Sequence, residues 1–265
     1  MVPAKPKTAV RAVASAVAMS LVLAACGGKP PQATEGGDTG SPQTAYLAPP
    51  KVDAVRSGPG GVVLSGLAPA DAKVRLATPS GAALFAPAGA GGRWTIALPP
   101  AGQPRIFGLS ATAGGRQAQA EGYVLVTPAG QVALLRAGAG AQRIDAPARP
   151  GLRAVDFDKG GGLVVSAAAP PGATVILRLD GHEAGLGRAD ADGRYEASFG
   201  PPTPIRSGPH QVQVSGDGFS DQALVTVSPA APLADGPLRS QLTPAGLRVD
   251  WMTPGGGVQS TVLIH

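Results

Sequence analysis

Beyond residue 50, apolar and polar positions alternate with period two in short runs. Lys73 and Arg75 alternate with Ala72, Val74 and Leu76. Trp94, Ile96 and Leu98 share one face, with Arg93, Thr95 and Ala97 on the other. Farther along, Tyr195, Ala197 and Phe199 take an inner face against Arg194, Glu196 and Ser198, and His210, Val212 and Val214 alternate with Gln211 and Gln213. This period marks half-buried β-strands. Turn clusters at Ser57–Gly61, Pro99–Gly102 and Gly216–Gly218 separate the runs, and no stretch sustains a helical period. The pattern predicts an all-β protein.

The pattern also occurs twice. Ala68-Pro69-Ala70-Asp71-Ala72-Lys73-Val74-Arg75-Leu76 corresponds to Ala169-Pro170-Pro171-Gly172-Ala173-Thr174-Val175-Ile176-Leu177, Gly92-Arg93-Trp94 to Gly193-Arg194-Tyr195, and Val126-Thr127-Pro128 to Val227-Ser228-Pro229. One shift of 101 residues aligns these pairs, whereas Ala54-Val55 matches Ala154-Val155 at 100. A constant shift indicates duplication. Six or seven strands in each copy predict two tandem Ig-like β-sandwiches, over 51–128 and 151–229. Segments 169–177 and 189–195 resemble those of bacterial Ig-like and carboxypeptidase-regulatory-like modules, a resemblance that implies spacer, adhesion or binding units. Residues 129–150 read as a hairpin or linker and 230–265 as a C-terminal hairpin segment. Tyr123–Arg136 and Val249–Ile264 both read as strand, Thr-Pro-Gly-type turn, strand. The expectation is that these hairpins pair with each other in an additional terminal sheet.

The N-terminus follows different rules. Lys5, Lys7 and Arg11 precede the 14 residues Ala12–Ala25, which are apolar except for Ser15 and Ser20. A membrane-spanning helix needs about 20 apolar residues, so this is the pattern of a cleavable export signal. It ends in Leu23-Ala24-Ala25-Cys26-Gly27, which resembles the lipobox of bacterial lipoproteins. That resemblance implies cleavage between Ala25 and Cys26, acylation of the Cys26 thiol with palmitate-type chains, and a membrane partner reached through that lipid. By the family's sorting rule, Gly27 implies the outer membrane, facing the periplasm. Cys26 is the only cysteine in the chain, so it has no internal disulfide partner. Segment 1–25 is thus expected to be signal, and 26–50 a lipidated, Gly/Pro/Thr-rich linker.

Composition then matters in two ways. The formal charge of +5 falls to +2 once Lys5, Lys7 and Arg11 leave with the signal, which gives no basis for a nucleic-acid partner. The 39 glycines and 28 prolines make about a quarter of the 265 residues, a level that fits many short strands joined by turns.

Candidate chemistry is sparse. Asp190-Ala191-Asp192-Gly193 has the look of a calcium-loop start, and Asp190 and Asp192 are the metal candidates. The first copy has Gly89-Ala90-Gly91-Gly92 at that place, so a turn accounts for what the copies share. Asp156 and Asp158 add ligands only if folding brings them close. His182, His210 and His265 have no metal-ligand spacing; His210 aligns with Phe107 and belongs on a core-facing edge, and His182 lies beside a hairpin turn. No nucleophile elbow occurs, and Gly255-Gly256-Gly257 reads as a turn. Trp94 and Tyr195 occupy equivalent inward positions, which leaves Trp251 as the candidate exposed aromatic for a ligand contact. No catalytic residue and no cofactor are called for. The leading expectation is a non-enzymatic cell-envelope lipoprotein serving as a spacer or protein-docking module. The alternatives are a peptidoglycan or glycan binder, and an enzyme with an unrecognised site.

Overall fold

The computed structural model describes residues 46–146, 149–200 and 203–265. The segment expected to be an export signal, the expected cleavage point, Cys26 and most of the expected linker lie outside them. Among the described residues there are nineteen strands. The first copy supplies β1 (Lys51–Gly58), β2 (Gly61–Leu67), β3 (Lys73–Ala77), β4 (Ala83–Pro87), β5 (Arg93–Leu98), β6 (Arg105–Ala113) and β7 (Arg116–Val126). The second supplies β10 (Gly151–Asp158), β11 (Leu163–Ala168), β12 (Thr174–Leu179), β13 (His182–Arg188), β14 (Arg194–Phe199), β15 (Gly208–Gly216) and β16 (Phe219–Val227). Between them lie β8 (Val132–Leu135) and β9 (Gln142–Arg143). After them come β17 (Leu238–Thr243), β18 (Gly246–Met252) and β19 (Val258–Ile264).

Each copy forms an antiparallel Ig-like sandwich with the same strand order. In the first, β1-β2-β5 faces β4-β3-β6-β7; in the second, β14-β11-β10 faces β13-β12-β15-β16. The alternation in the sequence is the alternation of burial. Trp94, Ile96 and Leu98 are buried while their neighbours are exposed. Each sandwich has its own core, one around Leu64, Leu76, Trp94 and Leu98, the other around Leu152, Val165, Leu177 and Tyr195.

Duplication extends to local irregularities. A bulge falls between Val52 and Ala54 in β1 and between Leu152 and Ala154 in β10. The bulge turns both Val52 and Val55 inward, and likewise Leu152 and Val155. Four residues connect the paired Ser57 and Val62, but five connect Phe157 and Leu163. That one-residue insertion explains why the shift changes from 100 to 101.

The turn after β4 and β13 is also common to the copies. Gly92 and Gly193 both have φ of +74°, and a Cβ would meet the Ala68 or Ala169 carbonyl oxygen at 2.3 or 2.6 Å. Ala169 N–H in turn donates to the Gly193 carbonyl at 3.0 Å. Gly193→Ala is therefore expected to lower stability by about 1–3 kcal/mol. An unchanged melting temperature would show that the turn is not held this way.

The terminal segments depart from expectation. β8 and β9 extend the four-stranded sheet of the first sandwich to β4-β3-β6-β7-β8-β9, and β19, β18 and β17 extend the three-stranded sheet of the second to β14-β11-β10-β19-β18-β17. The two hairpins share no ladder and form no separate sheet. They meet face to face instead, because each lies in a six-stranded sheet whose outer surface is apolar.

Candidate functional site

That meeting is the feature of the molecule with the most buried chemistry. Ile106, Leu125 and Leu135 on one six-stranded sheet pack against Leu247, Val249, Trp251 and Leu263 on the other, making a third core. Tyr46–His265 is in consequence one compact unit. Trp251 stands at its centre. Its indole N–H donates to Thr261 Oγ1 at 3.1 Å, and Tyr123 meets the ring edge-on, centroids 6.0 Å apart.

Beside the apolar contact lies a polar clasp. Asp156 accepts hydrogen bonds from Thr261 Oγ1, from Gln259 Nε2 at 3.2 Å and from Ala141 N–H at 2.8 Å. Gln259 Oε1 also accepts from Gly138 N–H at 2.9 Å. Asp156 and Gln259 thus grip the β8–β9 loop of the first sandwich from the second. Arg136 in that loop pairs with Glu196, and Arg143 donates to the Ile264 carbonyl at 2.8 Å. Burial pushes the Asp156 carboxyl up to about 6; the three hydrogen bonds oppose the rise and the Glu196 charge adds to it.

Asp250, on the opposite face of the same sheet, behaves in the contrary way. Burial raises its pKa, but bonds from Ser260, Arg248 and Arg239 outweigh burial and hold the carboxyl below the usual range.

The other candidates are engaged in turns. Asp190 Oδ1 accepts from Asp192 N–H and Arg194 N–H at 2.9 and 2.8 Å, and Asp192 pairs with Arg194. Asp158, the last residue of β10, likewise accepts from Gly160 N–H in the turn that follows, while Asp156 faces the junction, so the four carboxylates do not converge. Among the described residues no group of three His, Cys, Asp or Glu side chains could hold a metal ion. Asp180-Gly181 turns β12 into β13 with φ of +52° and +81°, the left-handed pair typical of a two-residue hairpin. His182 follows this turn. His210, near the start of the inner strand β15, is largely covered, with Nδ1 2.7 Å from Asp180 Oδ2 and Nε2 2.9 Å from the Arg206 carbonyl. Both ring nitrogens are engaged within the fold. His265 is the last residue, and Gly255–Gly257 form the β18–β19 turn, with Gly256 N–H donating to the Thr253 carbonyl at 2.9 Å.

Trp251 requires a correction. The sequence marked it as an exposed ligand contact, whereas it is 0% exposed. Its face of β18 is covered by the first sandwich, and alternation within one strand does not reveal what covers either face. The junction residues left a different signal: Tyr123–Val126, Val132–Leu135 and Val262–Ile264 are continuous apolar runs, the mark of strands buried on both faces.

Two further clefts flank the junction. One, about 260 Å³, is lined by Arg136, Arg143, Arg153 and Arg194; Glu196 pairs with Arg136, Asp145 with Arg143 and Asp192 with Arg194, and Arg153 donates to the Leu152 carbonyl. The other is a groove of about 360 Å³ between the start of β1 and the inner faces of β7–β9.

No protein-family model matches the chain, and no curated protein matches it. Among solved structures it is similar to the BSP domain of a biofilm-associated protein, at 17% identity and a TM-score of 0.24, over 70% of this chain and 30% of that one. It is similar to a central fibronectin-III array of RIM-binding protein at 13% identity and a TM-score of 0.29, over 82% and 89% of the two chains. A tetra-tandem repeat from the extending region of a large adhesion protein matches at 15% identity and a TM-score of 0.25, over 80% and 61%. The chain therefore spans under a third of the length of the first of these. At these TM-scores the likenesses carry no argument about function, and the fold class rests on the sheets themselves: two Ig-like β-sandwiches joined through a third core.

Proposed function

We propose that this chain is a non-enzymatic cell-envelope lipoprotein, held by lipid on Cys26 at the periplasmic face of the outer membrane, whose fused sandwiches serve as a stiff spacer and protein-docking module. The observation that carries the reading is the third core. Tandem sandwiches joined only by a linker would swing about it; burial of Trp251 and the grip on the β8–β9 loop favour one body that holds its surfaces at a fixed distance. The linker after Cys26 would then supply the reach and the sandwiches the rigidity. The glycan-binding reading depended on Trp251, and a wholly buried indole leaves it without its contact residue.

The anchor is tested directly. Cys26→Ala is expected to abolish incorporation of a labelled palmitate analogue and to move the chain from the membrane to the soluble fraction, because two or three acyl chains supply the hold. Retention of label and membrane association by that variant would remove the lipoprotein assignment.

A further inference from the structure

The two copies differ at one sheet edge, and the difference points to a partner. β10 carries β19 along its outer edge, from Ala154 opposite Leu263 to Asp158 opposite Gln259. β1 is its duplicate, with the same bulge, yet it ends its sheet, and among the described residues no strand pairs beyond it. Seven of the eight residues of β10 are buried, while six of the eight in β1 are exposed.

In the second sandwich β19 completes the ladder and also sends Val262 and Ile264 into the core. In the first sandwich the stretch corresponding to that ladder is Ala54–Gly58, and the 360 Å³ groove adjoins it at Lys51–Asp53, the end where Ile264 enters the second core. Lys51, Val52 and Asp53 wall the groove together with Asp192 and Arg194 from the second sandwich, and Leu134 and Ile144 lie on its apolar side. Leu134 and Ile144 are only half-buried there, since the sheet of β1 stops short of the sheet beneath. β16, whose counterpart β7 is covered by β8, is a weaker candidate. At its edge the sandwich is drawn shut by Asp221, which accepts from Leu152 N–H at 2.9 Å.

We propose that the first sandwich accepts a β-strand donated by another protein, laid antiparallel along β1, with apolar side chains turned inward as Val262 and Ile264 are in β19. Such strand addition uses the backbone ladder for affinity and the groove for specificity. The fold disfavours a second copy of this chain as donor. β8 and β9 overhang β1 by two strands, roughly 10 Å at normal strand spacing. A twofold-related copy paired through its own β1 would need that same layer for its own β8 and β9. A single strand fits above the overhang and covers Leu134 and Ile144.

This inference rests on the docking reading and names its partner class; peptide binding and Cys26 lipidation are separate measurements and fail separately. The probe is a fluorescent peptide of sequence Val258–Ile264 with a photo-crosslinking group, titrated into the full chain. Saturable binding is expected, with crosslinks mapping to residues 51–58 and to β8. Leu134→Asp, checked for an unchanged melting temperature, is expected to weaken binding about tenfold, and Leu134→Met to restore it. Two peptides N-methylated on complementary alternate residues leave the protein untouched, and only one of them is expected to bind. Absence of saturable binding, crosslinks to residues 151–158, equal binding of both methylated peptides, or self-association of the chain through β1 would overturn the proposal.

Discussion

Trp251→Ala is expected to destabilise the chain by about 3–5 kcal/mol, the range for deleting a fully buried large aromatic. The loss has three parts. Trp251 is 0% exposed, so its apolar surface leaves a cavity between the two six-stranded sheets. Its indole N–H bond to Thr261 Oγ1 disappears, and so does the edge-on contact with Tyr123. Because the residue belongs to the third core and to neither sandwich core, the damage should be directional: urea unfolding is expected to split from one transition into two as the sandwiches uncouple. A loss under about 1 kcal/mol with a single transition would mean that the third core does not weld the repeats, and the rigid-spacer reading would go with it.

Asp156 governs the second large effect, which depends on pH. Its folded carboxyl is pushed from 3.8 to about 6, first by burial, against the hydrogen bonds of Thr261, Ala141 and Gln259. The folded state therefore holds this proton at pH values where the unfolded chain has released it. Stability contributed by the group is fully present below about 4 and is lost as pH rises through 6. A shift of about 2 units corresponds to about 3 kcal/mol. Glu196 faces the same clasp and favours the protonated form, and Arg136 is occupied by Glu196. Asp250 and Asp180 are lowered, Asp180 chiefly by its hydrogen bond with His210. Their contributions have the opposite sign, present above the ordinary carboxylate range and lost as pH falls below it. The expected profile rises as pH falls from about 6 towards 4 and drops below about 4. Asp156→Asn should flatten the limb between 4 and 6 and leave the acid limb in place. Denaturant midpoints at each pH measure this, and an unchanged upper limb in that variant would show that the linkage lies elsewhere.

Both predictions concern residues whose environment was hidden in the linear pattern. Alternation in Trp94–Leu98 and Tyr195–Phe199 identified inward faces correctly, since one face of each of those strands meets water and the other its own core. Asp156 sits between Val155 and Phe157, which fill the second core. By alternation it belonged to the solvent side, and it becomes buried only because the β8–β9 loop covers that side. The same holds for Trp251 on β18. Asp190, Asp192 and His182 were legible as residues in or beside turns because turn chemistry is local.

The sequence by itself determined the strands, their duplication, the turns and the inward faces of strands such as Trp94–Leu98. These follow from short-range rules: period-two alternation and left-handed glycines. Tertiary structure decided which sheet each terminal hairpin joins, that the sandwiches share a third core, and that β1 is left open where β10 is paired. Such outcomes depend on which apolar face finds which, a contact between residues such as Tyr123 and Trp251, 128 positions apart in the chain. Hydrophobic attraction has no direction, so a buried face is legible in one strand while its partner is not.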